Sequence, residues 1–290
     1  MSQSVIPTSL QPLGAESRED NLWAEFSQET LALTKRLFIQ LKRRPTTLMA
    51  GVIQPLMWLI LFGALFHNAP QGLFGGDVNY GQFLAPGVIV FTAFSGALNA
   101  GLPVMFDREF GFLNRLLVAP LSTRYSIVAA STIYIISLAF VQTVVIVGAS
   151  AVLGAGLPGI AGLSMIAAIV FLIVFGVTAL SLGLAFALPG HIELIAVIFV
   201  TNLPLLFAST ALAPLSFMTH WLQWIAALNP LTYAIEPIRY LYLHGTWGLN
   251  SPVMQAPWGE MNLAVMLLVL VLFDGVVLAL IQPLLKRRFA

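Results

Sequence analysis

Apolar and polar positions along this chain fall into long blocks. Six blocks are almost wholly apolar: about Thr46–Phe66, Phe83–Met105, Tyr125–Leu153, Ile160–Leu188, Ile192–Leu212 and Asn262–Leu285. A helix needs about 20 such residues to cross a hydrocarbon core, so the pattern predicts six membrane-spanning helices. Ahead of them, Trp23, Phe26, Thr30, Leu33, Leu37 and Leu41 form one stripe at spacings of three and four. Glu25, Glu29, Lys35, Arg36, Lys42 and Arg43 lie off it. That is an amphipathic helix over residues 22–44, of the kind that lies in the headgroup plane. Residues 1–21 are polar, carry Pro7 and Pro12, and are expected to form a disordered cytosolic tail.

Two segments break the apolar rhythm. In Phe106–Arg124, the residues Phe106, Phe110, Leu113 and Leu117 share a helical face, while Asp107, Arg108, Glu109 and Arg115 sit mostly off it. Pro120 ends the pattern, since proline lacks the amide donor and clashes with the preceding turn. The expectation is a short amphipathic helix at the water boundary. The second segment, Pro214–Gly245, is too broken to span and too apolar to float free. Asn229-Pro230 opens a helix there, with asparagine as cap and proline in the first turn. Trp221, Trp224, Trp247 and Trp258, with Tyr233, Tyr240 and Tyr242, make an interfacial aromatic belt. Two short helices dipping into the outer leaflet fit this composition. Glu193, after the Pro189-Gly190-His191 turn, is expected to stabilise a helix N-terminus.

Composition agrees with a polytopic membrane protein. The 290 residues are 59% hydrophobic and 9% charged, and mean hydropathy is +0.91; no soluble core could hide so much apolar surface. Net charge of +1 leaves no footprint for nucleic acid. Without cysteine there is no thiolate chemistry or disulfide, and none of the four histidines is within a helical turn of another, so no metal site is expected. With both termini in the cytosol, 12 of the 13 basic residues fall on the inner side and only Arg239 falls outside, the strong bias expected of a multi-pass protein. No phosphate-binding Gly-x-x-x-x-Gly-Lys-Ser/Thr run is present; the lysines are Lys35, Lys42 and Lys286, and none follows a glycine. No catalytic constellation is visible.

Within the interrupting loop, the order Glu109-x-Gly111-x-Leu113-x-x-Leu116-Leu117-x-x-Pro120 resembles the cytosolic loop of the type-2 ABC permeases, in the daunorubicin-resistance and nodulation-export class. Phe112 and Asn114 stand where threonine and an acidic residue are common in that family. The Asn229-Pro-Leu-Thr-Tyr233 run resembles the same family. The resemblance covers about residues 30–288 and implies an all-α integral membrane fold: an N-terminal interfacial helix, six spans, a coupling helix between spans two and three, and re-entrant outer helices before span six. It assigns 46–288 to the ABC transmembrane type-2 domain. It implies a homodimeric permease in the plasma (inner) membrane, in contact with lipid. Two copies of a separate ABC ATPase would hold ATP and Mg, with no cofactor on this chain. The amphipathic, drug-like, lipid or glycan-linked substrate would move outward. The coupling positions would be Asp107, Arg108, Glu109, Gly111, Asn114, Arg115 and Pro120. Asn99, Thr201 and Asn202 would lie near the substrate path.

Asp274, near the middle of the sixth apolar block, costs about 3 kcal/mol to insert. It reads either as a substrate or proton contact, which would suit a proton-coupled secondary transporter, or as a group locking its helix to a neighbour. Either way it is expected to face protein or a water-filled cavity rather than lipid. Glu236 and Arg239, one turn apart after Pro230, are expected to pair and to latch the outer helices over the exit; a charge swap would then restore part of what reversing Arg239 loses. Asn229 and Pro230 belong to the same outer gate.

Overall fold

The computed structural model describes residues 16–66, 80–112 and 125–289. The chain forms α1 (Glu16–Arg43), α2 (Pro45–Leu65), α3 (Tyr80–Leu98), α4 (Gly101–Glu109), α5 (Tyr125–Ser150, with a π-helical end at Ala151–Ala155), α6 (Ile160–Ala187), α7 (His191–Phe207), α8 (His220–Leu228) and α9 (Pro230–Leu243). A two-stranded antiparallel hairpin, β1 (Pro252–Ala256) and β2 (Gly259–Asn262), precedes α10 (Leu263–Phe289). Five described helical stretches are long and apolar enough to cross a membrane: those starting at Leu48, Tyr80, Tyr125, Ile160 and Leu263. The remaining apolar block is the 17-residue α7, which rises about 25 Å at 1.5 Å per residue.

α3 is the central element. It packs on α2, α5, α6 and α9, and α10 closes the bundle against α6. Its buried residues run almost unbroken from Phe83 to Val90, as expected of a helix enclosed on several sides. α1 lies along α5, burying Thr30 and Thr34 with Leu33 and Leu37 half-buried beside them. The expected stripe is therefore the inward face, although Trp23 at its start is 75% exposed. The helix begins at Glu16, inside the segment expected to be an irregular tail.

The second apolar block is not one helix. It breaks at Asn99-Ala100 between α3 and α4, and Ser181 of α6 bridges the break. The Ser181 hydroxyl accepts from the Gly101 amide at 2.9 Å and donates to the Leu98 carbonyl at 2.6 Å. One side chain thus satisfies a donor and an acceptor that a continuous helix would have paired internally. Gly101 permits the approach.

Two other expectations change. The charged helix was expected to run on to Pro120, but α4 stops at Glu109 and Gly111 takes φ +76°, a left-handed conformation that glycine adopts without penalty. Leu113–Arg124, with Asn114, Arg115 and Pro120, lies outside the described residues. The hairpin was not expected at all. Pro257-Trp258-Gly259 turns the chain with Gly259 at φ +137°, and Met254, Ala256 and Met261 are buried beneath. β1 rests on the short helices α8 and α9, and β2 on α10.

The contact at Gly101 makes a prediction. A Cβ there would sit 2.4 Å from the Ser181 carbonyl oxygen, whereas a Cβ at Gly148 meets nothing within 4 Å. Gly101→Ala should cost about 1–3 kcal/mol through overpacking. Gly148→Ala should be neutral or gain up to about 1 kcal/mol from helix propensity. Thermal unfolding in detergent reads both; equal midpoints would show that the α4–α6 approach is not tight.

Candidate functional site

A cavity of about 430 Å³ opens between α2, α3, α5 and α7. Its polar lining comes from side chains at otherwise apolar positions: Gln54 on α2, Thr92 and Ser95 on α3, Gln142 on α5 and Asn202 on α7, with Asn99 at the α3–α4 break. Asn202 Nδ2 reaches Ser95 Oγ at 3.3 Å, and Asn99 Nδ2 donates to the Ser95 carbonyl at 2.7 Å, so both asparagines converge on one turn of α3. Gln142 donates to the Gly51 carbonyl at 3.3 Å, joining α5 to α2. Trp58 and Phe91 form one wall, their planes 15° apart and centroids 5.8 Å apart. Of the four residues expected along a path, Asn99 and Asn202 share this cavity. Thr201 does not line it, and its hydroxyl bonds back to the Val197 carbonyl of its own helix.

Asp274 is elsewhere. It is 6% exposed and packs against α6, where a Cβ on Gly176 would fall 2.0 Å from Oδ1. Oδ1 is buried without a hydrogen-bond partner among the described residues. The carboxyl faces protein, and Gly176 makes the room for it.

At the hairpin end, Arg239 is 5% exposed. Its guanidinium donates to the Phe83 carbonyl at 3.2 Å, to the Thr210 carbonyl and to Glu236, and it stacks on the Phe83 ring at 3.8 Å. Burial draws its pKa below the ordinary range, and the Glu236 carboxylate works in the opposite direction. The expected pair therefore exists, but most of the fork goes to backbone. Arg239 joins α9 to the start of α3 and to the chain after α7. Asn229 does similar work at the start of α9. Its Oδ1 accepts from the Leu231 amide at 3.0 Å as the cap of α9, ahead of Pro230, and its Nδ2 donates to the Leu205 carbonyl at 2.7 Å and to the Ala208 carbonyl.

At the opposite end, the charges expected to face a partner are committed within the chain. Asp107 pairs with Arg36 of α1 at 3.2 Å, and Arg36 lies 4.0 Å over the Phe112 ring. Arg108 donates to the carbonyls of Ala185, Leu188 and Pro189 at 2.8, 2.6 and 2.7 Å, closing the C-terminal end of α6. Glu109 accepts from the His191 amide at 2.6 Å and contacts its ring, closing the N-terminus of α7. Glu193 lies in the first turn of α7, as expected, and Glu109 adds the carboxylate that bonds the terminal amide. Sequence reading missed the partners Arg36, His191 and Ser181. A periodic pattern shows which face is apolar and carries no signal for which distant backbone a charge will reach.

The chain matches the family described as "ABC-2 type transporter" over residues 28–243. It is 54% identical over 264 residues to the "Putative transport permease ycf38" of Cyanophora paradoxa, covering 91% of each chain. It is 29% identical over 227 residues to the "Daunorubicin resistance ABC transporter permease protein DrrB1" of Streptomyces coeruleorubidus, 76% of each chain. It is 26% identical over 226 residues to the "Probable doxorubicin resistance ABC transporter permease protein DrrC" of Mycobacterium tuberculosis (strain CDC 1551 / Oshkosh), 76% of this chain and 79% of that protein.

The geometry of Arg239 reverses the charge-swap expectation. A glutamate at 239 has no donor for the Phe83 and Thr210 carbonyls, so the Glu236→Arg/Arg239→Glu double variant should be no better than Arg239→Glu alone. Loss of the buried pair should cost about 3–5 kcal/mol. Arg239→Lys should recover only part of it, because an ammonium lacks the planar fork. Unfolding midpoints of the three variants check this; recovery in the double variant would mean that the ion pair alone carries the effect.

Proposed function

The chain belongs to the ABC-2 type transporter family, and from that premise we propose that it is the permease subunit of an ATP-driven exporter. It works as a homodimer on two copies of a separate ATPase subunit, which holds ATP and Mg, and moves an amphipathic substrate outward. The observation that carries this reading is the cavity between α2, α3, α5 and α7, lined mostly by apolar side chains with Asn99 and Asn202 among its few polar groups. Cavities of this size, mostly apolar with a few convergent polar groups, suit small-molecule ligands.

The finer architecture follows from the same reading. α7 with the residues after it, to about Leu212, supplies a sixth span. α8 and α9 are the re-entrant pair on the outer side, held by Asn229 and Arg239 under the hairpin. The distribution of basic residues supports cytosolic termini and the plasma (inner) membrane. The absence of a phosphate-binding loop in the sequence supports ATP hydrolysis by a partner chain.

Coupling is carried by the α4 end and the Leu113–Arg124 segment that follows. Phe110 is 79% exposed at the end of α4, a protruding ring of the kind that seats in a partner's pocket. Asp107, Arg108 and Glu109 make α4, α1 and the α6–α7 turn move as one piece. The proton-coupled alternative finds no support, since Asp274 sits against Gly176, off the cavity.

The test is whether an ATPase encoded beside this chain co-purifies with it and whether its hydrolysis drives transport. Phe110→Ala should leave the unfolding midpoint unchanged while cutting transport at least tenfold. Arg108→Ala should lower the midpoint, because three carbonyls lose their donor. Transport by this chain with no ATPase present would overturn the reading.

A further inference from the structure

A second cavity, of about 440 Å³, lies at the hairpin end and shares no lining residue with the first. It is bordered by β1, α8, α9, the start of α3 and the turn at Leu215–Phe217. The Glu236–Arg239 pair forms part of its wall. The two members of that pair are not equally committed. Arg239 uses all three of its nitrogens within the chain, on Glu236 and on the Phe83 and Thr210 carbonyls, and its flat face lies on the Phe83 ring. Glu236 uses one oxygen. Its Oε1 accepts from Arg239, while Oε2 accepts from no described residue and stays open to solvent. Gln223 shows the same bias. Its Nε2 donates to the Met218 carbonyl at 3.0 Å, which leaves Oε1 open on the same cavity.

The cavity therefore has acceptors to spare, one of them charged. A carboxylate oxygen is met most strongly by a charged N–H, which makes a shorter bond than a neutral donor. The local field points the same way. Arg239 is the only Lys or Arg between Arg124 and Lys286, and Glu236 cancels it. Glu260, opposite Gln255 across the hairpin, adds a further negative charge beside the cavity. Phe83, Pro214, Leu215 and Val253 supply apolar wall for the carbons next to a bound nitrogen.

We propose that this cavity is a binding site for a primary ammonium group, separate from the transport cavity. Glu236 Oε2 is its charged acceptor and Gln223 Oε1 its second. A trimethylammonium group has no N–H to offer, and an anion meets only open acceptors. Because α8, α9 and β1 all border the cavity, an occupant ties the hairpin to the short helices.

The test uses the full chain in phosphatidylcholine nanodiscs. Ethanolamine, choline and glycolate are titrated as soluble probes, read by the rise of the unfolding midpoint. In a second set of discs phosphatidylethanolamine replaces part of the phosphatidylcholine, and native mass spectrometry counts the lipid retained. Ethanolamine should bind about tenfold more tightly than choline or glycolate, or phosphatidylethanolamine should be retained about tenfold over phosphatidylcholine. The first outcome makes the ligand a soluble amine and the second a lipid head group. Glu236→Gln should erase the preference. Gln255 is exposed, so Gln255→Lys leaves the pair intact, places a cation at the cavity and should also erase it; it decides the matter where Glu236→Gln fails to fold. Equal binding of the trimethylammonium probes, or no binding of any probe, overturns the proposal. Tighter binding of glycolate overturns it too and gives the cavity to anions on Arg239. A preference untouched by Gln255→Lys overturns it by placing the amine elsewhere on the protein. None of these outcomes bears on the transport cavity.

Discussion

Helix ends inside an apolar bundle leave backbone donors and acceptors that water cannot reach, and each must be met by the protein itself. This constraint explains where the polar side chains of this chain go. Ser181 bridges the break between α3 and α4. At the α4 end, which is partly open to solvent, Arg108 closes the end of α6 and Glu109 the start of α7. Asn229 serves the last turn of α7 and the first of α9 at once. Arg239 carries two carbonyls of the chain around α3 and α7. With only 9% charged residues in the chain, Asp107, Arg108, Glu109 and Arg239 each hold two elements together.

The consequence is that the charged and branched hydrogen-bond networks lie at the two ends of the bundle. At the α4 end, three consecutive charges tie α1, α4, α6 and α7 into one unit. At the other end, Asn229 and Arg239 tie the short helices to α3 and α7. Between them lies the cavity, whose contacts are single amide bonds at 3.3 Å, Asn202 to Ser95 and Gln142 to Gly51. Small residues set the approach distances around it: Gly51 at Gln142, Gly87 at Ala211 and Gly101 at Ser181.

Much of the fold was legible in the residues. Apolar blocks of more than 20 residues predict spans because no other structure hides that much surface, and the stripe from Phe26 to Leu41 predicts the inward face of α1. The cap at Asn229-Pro230 was readable because capping is local. Asn99 and Asn202 stood out as polar groups in apolar blocks. The hairpin escaped notice because its buried face is only Met254, Ala256 and Met261, too short a pattern to stand out beside the tryptophans around it.

The sequence by itself determined the membrane class, the number of apolar blocks, the missing phosphate-binding loop and the residues able to pair. Each of these depends on composition or on spacings within one helix. Tertiary structure alone decided what each polar group touches. Asp107, Arg108 and Glu109 look like a free charged face in one dimension, yet they reach partners 71 to 82 residues away. Asp274 and Asn202 look alike as polar intruders, yet one is sealed against Gly176 and the other lines a cavity. Contacts at such separation depend on how helices cross, which local periodicity does not encode.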